Sequence, residues 1–386
     1  MCKKIFGDKN MVSRAKINPE MMRWAREYAG YTNGYEKTLP KDIKEKIDDW
    51  ESGKKYPTWN QLRAVSKKYN LPTAFFFMKE TPSFEKLPNL INYRKADNPI
   101  YARPSPDLIR NIRKSEIRRD IYIDLLGDLN EETSKFEVPN LKRNKTTFAD
   151  YIRNILDVSL NIQKSWFNDA KHYTHLNNWK DIINEKLGIL IFETENVDIK
   201  EMRGICIFHD ETPIILLNGK DEPNGRIFTL FHELTHLLLG ESAICGDDID
   251  REMEIFCNSV AGEFLVPKND LNNGMYSNNL SESSIRELSN IYGVSEHVIL
   301  RRLLDIQKIT KQDYISKTRR FNEYVPLISS KSRGNYLNNM IKYNSKAYYS
   351  IVLEAYDSGM INSLDFAKFT NLGQNQIPKL QERLFG

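Results

Sequence analysis

The chain has 386 residues, with 56 Lys and Arg against 52 Asp and Glu, 40% hydrophobic residues and 11% aromatic ones. That length allows two or three domains with ample core, and the composition excludes a disordered chain or a stapled mini-protein. A net charge of +4 excludes attraction to nucleic acid or membrane as a property of the whole molecule. No apolar run nears the about 18 residues that cross a bilayer, and four scattered cysteines (Cys2, Cys206, Cys245, Cys257) make neither a disulfide framework nor a cysteine zinc site.

The N-terminus, MCKKIFGDKN, carries charge but no apolar stretch of the signal-peptide kind, so a cytoplasmic location and no membrane partner are expected. The first 80 residues hold 17 Lys and Arg against 10 Asp and Glu, a local net of +7 that leaves −3 for the rest. Asn18 followed by Pro19 predicts a helix start and Gly30 a stop, with Met22, Ala25, Tyr28 and Ala29 as an apolar stripe. A second stripe, Ile43, Ile47 and Trp50, predicts a helix over 41–50 that ends at Ser52-Gly53. Thr58 to Tyr69 repeats the pattern with Leu62, Val65 and Tyr69. Short helices with tight turns fit a bundle of helix-turn-helix type over residues 1–82.

Residues 81–107 are rich in proline and turn residues, so 83–145 reads as a linker and connecting helices, with helical periodicity from about 108 to 186. Short apolar runs at 188–193, 204–209 and 213–218 then predict three strands, the last two as a hairpin, and the strand at 214–217 is expected to offer an edge to an extended substrate. Helix returns after Gly225 and continues beyond Ser281. The expected fold class is α+β, mostly helical, with one domain at 146–310 that holds the small sheet and a helical C-terminal block at 311–386.

Residues 232–236 read His-Glu-Leu-Thr-His within an apolar helical run. Four residues advance a helix by about 400°, so His232 and His236 leave one face a turn apart and can reach one metal ion. Glu233, offset by about 100°, misses the ion and is placed as a general base for a water beside it. A hydrolytic zinc needs a third protein ligand, and the acidic candidates are Asp247, Asp248, Asp250, Glu252, Glu254 and Glu263. Periodicity over 252–265 assigns Phe256, Val260, Phe264 and Leu265 to packing and puts Glu254 and Asn258 on another face, which makes Glu254 the natural third ligand without proving it.

The stretch Arg226–Leu239, with the later Glu254-Ile-Phe-Cys-Asn-Ser-Val-Ala-Gly-Glu-Phe-Leu-Val-Pro267, resembles the ImmA/IrrE family of zincin-like metallopeptidases. That family pairs an HExxH helix with a helix bearing Glu-x-x-(small)-Asn and ending in Leu-x-Pro. The resemblance implies His232, His236 and Glu254 as ligands of zinc, with manganese as the alternative ion, and Glu233 as catalytic base; Gly262 stands where alanine is more usual. It also extends to residues 18–82, which are similar to the XRE-type helix-turn-helix preceding this peptidase in many two-domain members.

The N-terminal module departs from that pattern. Its recognition segment, Lys41–Trp50, holds three lysines against four acids, and acids on a groove-facing surface repel phosphate. Either DNA is met through Lys37, Lys41, Lys44, Lys54 and Lys55 around the rim, or the module is a protein-interaction surface. The function expected is cleavage of a regulatory protein such as a repressor, in a mobile-element, stress or defence setting. Two alternatives are a DNA-binding regulator that uses the zinc domain as a sensor and an interaction module of a toxin–antitoxin or defence system; a homo-oligomer is compatible with each. Of the remaining histidines and cysteines, Cys245 reads as a loop residue, His172 and His175 as a solvated loop, and His209 and His297 as surface or packing residues.

Overall fold

The computed structural model describes residues 13–32, 34–82, 104–133, 135–166, 174–240, 249–273, 281–323 and 336–385, without the side chains of 249, 250, 273, 322 and 323. Its residues group into two compact units, one of 1–87 with 98–113 and one of 88–97 with 114–386.

In the first unit the helix Pro19–Tyr28 begins where Asn18 Oδ1 accepts from Glu20 N at 3.0 Å, and Pro19 occupies its first position. The helix Trp59–Tyr69 begins with a reciprocal cap, Thr58 accepting from Gln61 N while Gln61 accepts from Thr58 N. Met22, Ala25, Ile43, Ile47, Trp50, Leu62, Val65 and Phe76 close the core between them. The helix expected over 41–50 is two pieces, Lys41–Lys44 and Ile47–Glu51. The chain leaves helical geometry at Lys46 (φ −122°), whose N–H turns back to Ile43 O at 3.0 Å in a tighter turn. Before them lies only a short 3-10 turn, Tyr35–Thr38.

The second unit is built on three strands, β1 (Leu190–Thr194), β2 (Gly204–Ile207) and β3 (Ile214–Asn218), in the order β1-β3-β2. β2 and β3 pair antiparallel, as the hairpin reading has it, while β1 runs parallel to β3. β3 is therefore the central strand and has no free edge, which corrects its expected role in pairing with a substrate. Three runs too short to form more than one small sheet place the most apolar run in the middle, where both its ladders are satisfied. Every strand residue is buried. The fold is α+β and mostly helical.

The helix Pro223–Leu238 packs on β2 and β3 and against the helices Thr174–Leu187 and Ile249–Leu265. It starts two residues before Gly225, with Pro223 at its first position. Phe231 meets Phe264 at a centroid distance of 4.2 Å and Trp179 edge-on at 4.9 Å, so one aromatic contact set joins all three helices. Beyond the sheet, Ser281 caps Glu282–Tyr292, Glu296–Asp305 follows, and Tyr336–Asn344 packs along β1.

Candidate metal centre

The site is made where the helices Pro223–Leu238 and Ile249–Leu265 cross. An α-helix advances 100° per residue, so His232 and His236 project from one side of the first helix, and their Nε2 atoms lie 3.1 Å apart. Glu254, in the first turns of the second helix, brings Oε2 to 3.3 Å from His232 Nε2 and Oε1 to 3.5 Å from His236 Nε2. The three donor atoms lie within 4.8 Å of one another. Both imidazoles are buried, whereas the Glu254 side chain is 23% exposed, so the cluster opens to solvent on the carboxylate side.

The donor set fits a metal ion on geometric and electronic grounds. Two ligands about 2.1 Å from a tetrahedral ion stand about 3.4 Å apart, close to the separations here. His232 Nδ1 donates to Asn258 Oδ1 at 3.0 Å, which leaves its Nε2 lone pair turned toward the Glu254 carboxylate. In the neutral ring, a lone pair and a carboxylate oxygen that face each other suit a cation between them. Behind the second imidazole, Cys257 Sγ lies 3.5 Å from His236 Nδ1.

Glu233 is buried beside this cluster, and its Oε2 has no hydrogen-bond partner among the described residues. The carboxyl is confined rather than loose. A Cβ on Gly204 would lie 2.8 Å from Glu233 Oε1 and 2.3 Å from Thr229 Cγ2, so only glycine lets β2 run this close to the helix. The Cys206 thiol also lies against Glu233; burial first, and then that carboxylate, push its pKa well above the ordinary thiol range, so Cys206 stays a neutral thiol.

Other acidic candidates lie elsewhere. Glu252 is exposed, and Glu263 is bound to Arg302 Nη2 at 2.5 Å and to Lys268 N at 3.0 Å. Asp247, Asp248, His172 and Cys245, and the side chain of Asp250, lie outside the described residues. His175 is not in a solvated loop: it is buried on the helix Thr174–Leu187, over Gly293, whose φ of +69° and close approach to the ring require glycine. His209 pairs with Glu116 at 3.2 Å, and His297 has its pKa lowered, chiefly by burial.

Asn258, Cys206 and Cys257 are the neighbours that sequence reasoning did not assign to the site. Asn258 had a usable signal, since it follows Glu254 by one turn, but a cysteine on a strand of unknown register had none. In the N-terminal unit Lys37, Lys41, Lys44, Lys54 and Lys55 are all exposed; Lys41 pairs with Glu45 at 3.8 Å and Lys55 with Asp49 at 2.7 Å. Lys37, Lys44 and Lys54 form no ion pair among the described residues.

Residues 184–304 match the sequence profile of the IrrE N-terminal-like domain, Peptidase_M78. The search of curated proteins returned no match. Among solved structures, a Mycobacterium tuberculosis transcriptional regulator aligns at 15% identity over 48% of this chain and 51% of that one, with a TM-score of 0.29. The alignment thus spans about half of that protein, and a likeness this weak carries no argument. The profile match covers the sheet, both site helices and nearly all of the helix Glu296–Asp305, and it supports the ImmA/IrrE family for residues 184–304.

Proposed function

We propose that the chain is a zinc-dependent endopeptidase in which His232, His236 and Glu254 hold the ion and Glu233 is the general base. The reading rests above all on one observation: three converged donors of metal-ligand type stand beside a buried carboxylate with an unpartnered oxygen. When bound, the ion supplies Lewis-acid polarisation of the peptide carbonyl and lowers the pKa of a water; two imidazoles and a carboxylate suit zinc, with manganese as the alternative. Glu233 Oε2 takes the proton from the attacking water and carries it to the leaving amine nitrogen. Gly204 and Cys206 confine that carboxyl, and Asn258 holds the His232 ring in the tautomer that offers Nε2.

The substrate in this reading is a regulatory protein such as a repressor, cut in the cytoplasm to control a mobile element, stress or defence system. Residues 1–82 would act as an XRE-like helix-turn-helix module, 83–145 as linker and connecting helices, 146–310 as the peptidase and 311–386 as a helical C-terminal domain. The test is metal content together with cleavage of co-encoded regulators by the wild type and by Glu233→Gln. Cleavage by the Gln variant at the wild-type rate would overturn the assignment of the base.

A second reading, a DNA-binding regulator with the metal site as sensor, is favoured by the exposed, unpaired Lys37, Lys44 and Lys54. Titration with random and operator-like duplexes is expected to show steep salt dependence with little sequence preference, as phosphate contacts alone would give. Tight, salt-tolerant binding to one sequence would promote the regulator reading.

A further inference from the structure

The seam between the two site helices stays open beyond the metal donors. Phe228 and Thr229 lie one turn before His232 and Glu233, while Asn258 and Gly262 follow Glu254 at four-residue steps. The faces that carry the candidate ligands therefore continue as walls of a cavity of about 670 Å³, closed on its far side by the helix Glu296–Asp305.

The lining of this cavity has four permanent cations, Lys145, Arg203, Arg301 and Arg302, against one carboxylate, Asp305. Arg302 is committed inside the protein, to Glu263 and to Val266 O at 2.9 Å. The other three are accessible: Lys145 is exposed, and the side chains of Arg203 and Arg301 are 52% and 65% exposed. Arg301 reaches Asp305 at 3.1 Å in a largely exposed pair that contributes little, whereas Arg203 reaches Asp221, only 10% exposed, at a longer 3.4 Å.

Lys145 forms neither an ion pair nor a side-chain hydrogen bond among the described residues, and it is the first residue of the helix Lys145–Leu156. A cation at that end opposes the helix dipole, and the first turn has no acid to offset it. The local field is thus positive, with Asp305 the one carboxylate in the lining. His297 in the same lining has its pKa lowered, chiefly by burial, with Glu296 raising it and Arg203 lowering it.

We propose that this cavity is a substrate subsite for an acidic side chain, Asp or Glu, of the polypeptide cut at Glu233. The inference rests on the peptidase reading and names a substrate class for the same site. Phe228, Val298 and the 60% exposed Ile255 supply an apolar surface for the chain's methylenes, and Lys145, Arg203 and Arg301 receive the carboxylate. A peptide fits better than a nucleic acid. The cations converge on one partly apolar cavity rather than tracking a backbone, and Asp305 in the lining, with Asp221 behind Arg203, opposes a run of phosphates.

Fluorescence anisotropy with the full-length Glu233→Gln protein tests this directly, using short fluorescein-labelled peptides that differ only in Glu or Gln at one scanned position, and a duplex DNA as control. At one or more positions Glu is expected to tighten binding by about tenfold, less at high salt. Lys145→Ala with Arg301→Ala should remove that preference at unchanged metal content, and Lys145→Glu with Arg301→Glu should transfer it to a Lys peptide. No preference for Glu at any position, or duplex binding that the same substitutions abolish, would overturn the proposal. Cleavage by the wild type that needs Glu233 but ignores peptide charge would sink the subsite and leave the peptidase; charge-dependent peptide binding without any cleavage would do the reverse.

Discussion

Two groups of buried charge sit along the single helix Pro223–Leu238, and they are built on opposite principles. Near its start, the Glu193 carboxylate on β1 is 1% exposed and is met by three cations, Arg226, Lys180 at 3.2 Å and Lys342 at 3.4 Å. Two turns on, His232, His236 and Glu254 bring two imidazoles and a carboxylate together, with donor atoms within 4.8 Å of one another. Burying charge costs several kcal/mol per ion unless it is compensated in place. In the first group protein cations outnumber the carboxylate they meet, and the contact joins helix, sheet and the helix Tyr336–Asn344. The second brings together donors of metal-ligand type. Helix burial alone therefore does not separate structure from chemistry; the balance of charge within the buried group does.

The sharpest break of that comparison is Glu233→Gln. It should keep the metal while lowering peptide cleavage by about 10²–10⁴-fold, because it removes a base and no ligand. A loss of metal instead would make Glu233 part of the coordinating group. Arg226→Ala strikes the first group, where it removes the one fully buried cation on Glu193 and leaves Lys180 and Lys342, which are more exposed. Thermal or denaturant unfolding should show a loss of about 3–5 kcal/mol, with metal per folded chain unchanged.

The metal-affinity series is finer. His236→Ala should strip the ion, Glu254→Gln should weaken it, and exposed Glu252→Gln should leave it bound; the reverse order for the two glutamates would mean that the second helix presents another face to the histidines. Asn258→Ala, which frees the His232 ring without touching the ion, should cost about 10–100-fold in metal affinity, read by competition with a chelator.

Much of the local structure was legible because it depends on neighbours in sequence. Asn18, Thr58, Ser281 and Asn362 are caps whose side chains reach backbone N–H groups two or three residues on, and each starts a helix. The break at Lys46 was not legible. Ile43, Ile47 and Trp50 share one face in a continuous helix as well as in two short ones, so the apolar pattern cannot distinguish them. The central position of β3 was hidden for a similar reason: a buried apolar run reads the same in the middle of a sheet as at its edge.

By itself the sequence determined that His232, Glu233 and His236 share a helix at angles suited to two ligands and a base, that the chain is α+β, and that its central part resembles the ImmA/IrrE family. The tertiary structure alone decided that Glu254, rather than Glu252 or Glu263, faces the two imidazoles, that Asn258 and Cys257 stand behind them, and that Gly204 and Cys206 bound Glu233. It also decided that Lys145, Arg203 and Arg301, distant in sequence, line one cavity. The physical reason is that spacing along a helix sets only the direction in which a side chain leaves its own axis. Which partner waits in that direction depends on packing among distant segments, here the contact of Phe231, Phe264 and Trp179 that fixes how the two site helices cross.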